Sequence, residues 1–106
     1  MTQLITIEKI AIVTILSQIM NADGVIHPKE EEYMDNVYIE LGLKIGDIEN
    51  MDNIDDIQAR QIIQTLSNEQ KLYVFHLFIS MAESDGFVHP KEHAIIEQLF
   101  GEEFPF

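Results

Sequence analysis

Three residues able to hold a divalent cation recur at one spacing: Asp23, His27 and Glu30, and again Asp85, His89 and Glu92. Carboxylates alone suit Ca²⁺, Mg²⁺ or Mn²⁺, whereas imidazole nitrogen moves the preference toward Zn²⁺, Mn²⁺ or Ni²⁺. All six lie in a nine-residue phrase written twice, Ala22-Asp23-Gly24-Val25-Ile26-His27-Pro28-Lys29-Glu30 and Ser84-Asp85-Gly86-Phe87-Val88-His89-Pro90-Lys91-Glu92. Six positions are identical and two more stay apolar, at an offset of 62 residues. Such fidelity points to an internal duplication, with halves at about 4–42 and 66–101.

Two known metal patterns come close and fail. Asp-Gly followed by a Glu six positions after the Gly has the rear half of an EF-hand loop, but Ile19 and Met81 stand where its first carboxylate is required. His89-Pro90-Lys91-Glu92-His93 has the letters of an inverted zinc-peptidase motif. That chemistry needs both histidines on one helical face, and Pro90 places His89 outside the helix as its cap; the first copy has Glu31 in place of His93.

The phrase itself is a helix stop followed by a helix start. Gly24 and Gly86 suit a left-handed turn closing the preceding helix, and Pro28 and Pro90 suit the first position of the next, where a missing N–H costs nothing. His27 and His89 then become N-caps, with Glu30 and Glu92 three positions on, as in a capping box with an unusual cap. Upstream, apolar residues crowd positions 4–20 with little polar relief, predicting a largely buried helix. The second helix, Pro28 to Leu41, turns Met34, Val37, Tyr38 and Leu41 inward and Glu31, Glu32 and Asp35 outward, and Gly42 ends it. Residues 43–53 read as a connector with a short helical turn near Asp47 to Met51. A third helix near Ile54 to Leu66 buries Ile54, Ile57, Ile62, Ile63 and Leu66. Ser67 with Gln70 opens the next helix, Asn68 to Ala82, on which His76 shares a half-buried face with Leu72 and Ile79. The last helix runs from Pro90 to about Phe100, and Gly101 releases a tail whose Phe104 and Phe106 can dock on the domain or a partner. The expected fold is all-α, a pseudo-two-fold helical bundle of two related helix-turn-helix halves.

This pattern resembles the TerB-like family, named for tellurite-resistance protein B. Its signature is an apolar helix ending in Ala-Asp-Gly, then an apolar residue, a capping residue, often Pro, and Glu. Ala22, Asp23, Gly24, Ile26, Pro28 and Glu30 meet it, and Asp85, Gly86, Val88, Pro90 and Glu92 meet it again. The resemblance covers nearly the full length as a single domain. It implies a pseudo-symmetric helical fold, acidic turns that lie near one another and bind divalent metal, and a place in bacterial stress-response or tellurite-resistance systems beside a protein partner. His27 and His89 depart from it, since the family more often has a small polar cap there.

Charge and composition narrow the function further. The chain of 106 residues has a formal charge of -13, which repels nucleic acid and anionic lipid and attracts cations or basic protein surfaces. It has no cysteine, fitting a reducing cytoplasm, and neither a membrane-length apolar run nor the basic start of a signal peptide. A length of this order buries ~65% of the unfolded surface, sufficient for one core. With no nucleophile beside a base and no phosphate-binding loop, the expectation is a non-catalytic module.

Asp23 and Asp85 end helices, where the macrodipole disfavours negative charge, so something must compensate. One reading is local: backbone N–H groups of the following helix, or Lys29 and Lys91, neutralise them. The other is that Asp23, Glu30, Asp85 and Glu92, with His27 and His89, converge on one or two cations (Ca²⁺, Mg²⁺, Mn²⁺ or Zn²⁺). The corresponding functions are a metal-holding signalling module and a purely structural protein-interaction domain.

Overall fold

The computed structural model describes residues 3–22, 24, 27–44, 46–47, 54–84 and 89–101. Among these residues the fold is all-α, with helices α1 (Thr6–Asn21), α2 (Pro28–Leu41), α3 (Asp56–Gln64), α4 (Asn68–Ala82) and α5 (Pro90–Phe100). α1 is the central element. Ile10, Ala11, Ile12, Val13, Ile15, Leu16 and Ile19 are buried along it, and it packs against all four other helices, most extensively α3. Apolar residues nearly all round a helix can only be satisfied by neighbours on several sides, and that requirement places α1 in the middle.

Local chemistry fixes where the helices begin and end. Ser67 and Gln70 form a reciprocal capping box, Ser67 N–H donating to Gln70 Oε1 at 2.9 Å and Gln70 N–H to Ser67 Oγ at 3.2 Å. Asp55 and Gln58 do the same for α3, at 3.0 and 2.8 Å. Gly42, at φ 68°, ends α2. Its N–H donates to Ile39 O and that of Leu43 to Tyr38 O, each at 3.1 Å, which is the paired closure that a left-handed glycine allows. Gly24 also has a left-handed φ of 79°, and its N–H donates to Asn21 O at 3.0 Å, as the turn after α1 requires. Gly46 and Asp47 are helical; the rest of the short turn expected near Asp47 to Met51, together with Gly86 and the Phe104 to Phe106 tail, lies outside the described residues.

Two expected burials are corrected. Ile57 is 63% exposed, and α3 instead buries Ala59 and Ile63, with Leu66 just beyond its end. Which side chains of α3 turn inward is set by the helix's rotation against its neighbours, and that rotation buries Ala59 in place of Ile57. His76 is exposed and Leu72 is 44% exposed, because α4 turns Val74, Leu77, Phe78, Met81 and Ala82 inward.

The halves exchange contacts: α1 packs on α5, and α2 packs on α4. Tyr33 and Tyr73 strengthen the second contact. The Tyr33 hydroxyl on α2 donates to Leu77 O on α4 at 3.2 Å. Partial burial, the charge of Glu40 and a hydrogen bond to Glu40 push the Tyr73 hydroxyl up to about 12. Partial burial is also the main cause raising Tyr33.

Candidate functional site

Proline builds the two ends that carry the duplicated phrase. The residue before a proline is driven out of the α region. His27 (φ -89°, ψ 137°) and His89 (φ -75°, ψ 143°) are accordingly extended N-caps, with Pro28 and Pro90 opening α2 and α5. The cap carbonyls take up the first helical N–H groups: His27 O accepts from the N–H of Glu30 at 3.0 Å and of Glu31 at 3.2 Å, and His89 O accepts from that of His93 at 3.0 Å. Neither imidazole makes a side-chain cap hydrogen bond. Both rings are half-buried and face each other, stacked with centroids 5.1 Å apart and planes 8° from parallel. The stack brings together the N-terminal ends of α2 and α5, which are 62 positions apart in the chain.

One turn inside each helix stands a glutamate with no solvent exposure. Glu30 and Glu92 are each 0% exposed, and they are the buried charged side chains among the described residues. Water-free burial of a carboxylate costs several kcal/mol unless charge or hydrogen bonds compensate. The first turn of a helix supplies part of that compensation through its exposed N–H groups and dipole. Glu92 Oε1 accepts the His89 N–H at 3.2 Å, the return half of a capping box, while Glu92 Oε2 is buried with no hydrogen-bond partner among the described residues. Glu31 and Glu32, next in sequence to Glu30, are exposed, so burial selects the glutamate of the phrase and not acidity in general.

Of the six residues expected to form a metal site, the structure brings His27 and His89 into contact and buries Glu30 and Glu92 in the adjoining helical turns. Asp23 and Asp85 lie outside the described residues. Among the described residues no group of three or more histidine or carboxylate side chains is gathered as a ready ion cage. The peptidase-like letters separate as expected, with His89 outside α5 and His93 within it, its Nδ1 3.6 Å from Glu97 Oε2.

The sequence anticipated Glu30 and Glu92 as capping groups but not their complete burial. A signal was available: both phrases place an ionisable residue at the third helical position of a helix whose next apolar residues face the core. The tyrosine contacts between α2 and α4 had no comparable signature. Comparison with protein-family models, with curated proteins and with solved structures found no match to this chain.

Proposed function

We propose that the protein is a non-catalytic binding or signalling module of the TerB-like type, and that it holds a divalent cation where the N-terminal ends of α2 and α5 meet. The observation that carries this reading is the pairing of His27 with His89 above two wholly buried glutamates at matching positions. Residues near a two-fold axis meet their own counterparts, and the reciprocal packing of α1 on α5 and α2 on α4 agrees with such an axis. The residues present suit a cation: Glu92 has a buried oxygen without a hydrogen-bond partner among the described residues, and the donor set is carboxylate and imidazole. Glu30 and Glu92, with Asp23 and Asp85 from the adjoining turns, would supply oxygen, and the ion would neutralise a field that the helix ends only partly balance. On this reading the acidic surface and a stress-response setting serve recognition by a protein partner.

The test is calorimetric titration and thermal melting with Ca²⁺, Mg²⁺, Mn²⁺ and Zn²⁺. At a free ion concentration of 100 times Kd, binding to the folded state raises stability by ~2.7 kcal/mol. Replacing Glu30 and Glu92 together by Gln should abolish that rise while the helical circular dichroism is kept. Wild-type protein that shows neither heat nor a melting shift with any of these ions would leave the structural interaction domain as the function.

A further inference from the structure

The geometry points to a bis-imidazole site: His27 and His89 together bind a first-row transition ion of the Zn²⁺, Ni²⁺ or Cu²⁺ class, clamping the N-terminal ends of α2 and α5. This rests on the cation-holding reading above and names the ion class that the site selects. The argument begins with spacing. Two imidazoles that ligate one ion through bonds of ~2.1 Å, at angles between square and tetrahedral, have centroids ~4.6 to ~5.3 Å apart. The observed separation is 5.1 Å.

Orientation is the part that must change. An imidazole nitrogen donates in its ring plane, and two stacked rings 8° from parallel direct their lone pairs along separate planes. Turning either ring about its Cβ–Cγ bond changes this without moving the ring centre, because that bond axis runs close to the centroid. That torsion is broad for histidine. The helix starts keep their backbone, since Pro28 and Pro90 set the extended cap conformation.

Ion preference follows from the donors. Ca²⁺ and Mg²⁺ gain little from imidazole, whereas the borderline ions bind it well. Because the ligands come from opposite ends of the chain, the ion would tie the two copies of the phrase to each other directly.

The experiment is titration of wild type, His27→Gln and His89→Gln with Zn²⁺ and Ni²⁺ on one side and Ca²⁺ and Mg²⁺ on the other, near neutral pH. Electron paramagnetic resonance of Cu²⁺-loaded wild type accompanies it. Expected results are nitrogen couplings from two imidazoles in wild type and, in either variant, at least a tenfold fall in Zn²⁺ and Ni²⁺ affinity, about the size metal sites show for lost supporting groups. Calcium and magnesium responses should not change. Unchanged Zn²⁺ and Ni²⁺ affinity in both variants, or a Cu²⁺ spectrum with fewer than two imidazole nitrogens, overturns the histidine site. In that event, an ion response still lost in the Glu30→Gln, Glu92→Gln double variant leaves the carboxylate reading standing. No response to any ion in wild type removes both. The spectrum requires no substitution, so the inference stays testable should a variant fail to fold.

Discussion

All five helices among the described residues have a Gln or Glu three positions after the cap; at α1 a partly exposed Glu8 accepts the N–H of Ile5 at 2.9 Å, and the other four helices fall into two kinds. At α3 and α4 the caps are Asp55 and Ser67, the side chains at the third position are the neutral Gln58 and Gln70, and each box closes on itself with two hydrogen bonds. At α2 and α5 the caps are histidines that stack on each other, and the third position is a carboxylate with no exposure to water. The first kind does what helix starts must do and nothing more. A glutamate at this position is an ordinary helix-start residue, as Glu8 of α1 shows, but in the second kind it is sealed from water, which sets the duplicated phrase apart.

The largest test of that distinction is charge reversal. Glu92→Lys should cost about 3–5 kcal/mol, because it puts an unpaired cation in a dry site at the positive end of α5. Gln58→Lys, at an exposed position of the same register, should cost less than ~1 kcal/mol. Urea denaturation of the two variants reads the difference, and equal losses would erase the contrast between the two kinds of start.

Coupling gives the next largest effect. Asp55→Ala and Ser67→Ala should each lose ~1 kcal/mol, and the double variant should be additive within ~0.5 kcal/mol, since each box is self-contained. His27→Ala and His89→Ala should instead show an interaction energy of ~0.5–1.5 kcal/mol, the value of a ring pair in contact. Additive histidines in a double-mutant cycle would mean that the stack contributes nothing.

A smaller effect contrasts the carboxylates of the phrase with the neutral tyrosines that join α2 to α4. Tyr73 is raised to about 12 by partial burial first and then by Glu40, so the folded state holds its proton more tightly than the unfolded chain does. Its contribution is fully present below the unfolded value of ~10 and is lost as pH rises through about 12. Denaturation midpoints should therefore fall across that alkaline window, and Tyr73→Phe should flatten the fall. An absorbance titration that finds tyrosinate forming only at the ordinary pH would remove this contribution.

How far the sequence could be read depended on the range of the physics involved. Helix starts at Pro28, Ser67 and Pro90, the left-handed turn at Gly24, the stop at Gly42 and the buried character of α1 were all legible, because each is decided within one or two turns of chain. The inward set of α3 was not: Ile57 is more apolar than Ala59, yet Ala59 faces the core. His76 likewise has apolar neighbours along its helix and still faces water. In both cases the surface opposite, not the residue's own preference, settled the matter.

The sequence by itself determined an all-helical chain with a duplicated stop-and-start phrase, since proline, glycine and capping groups act on their immediate neighbours whatever the rest of the chain does. Tertiary structure alone decided that His27 would lie against His89 and that Glu30 and Glu92 would be sealed from water. Those outcomes depend on which helix lies opposite, and contacts between residues 62 positions apart are set by the packing around α1 rather than by any local rule.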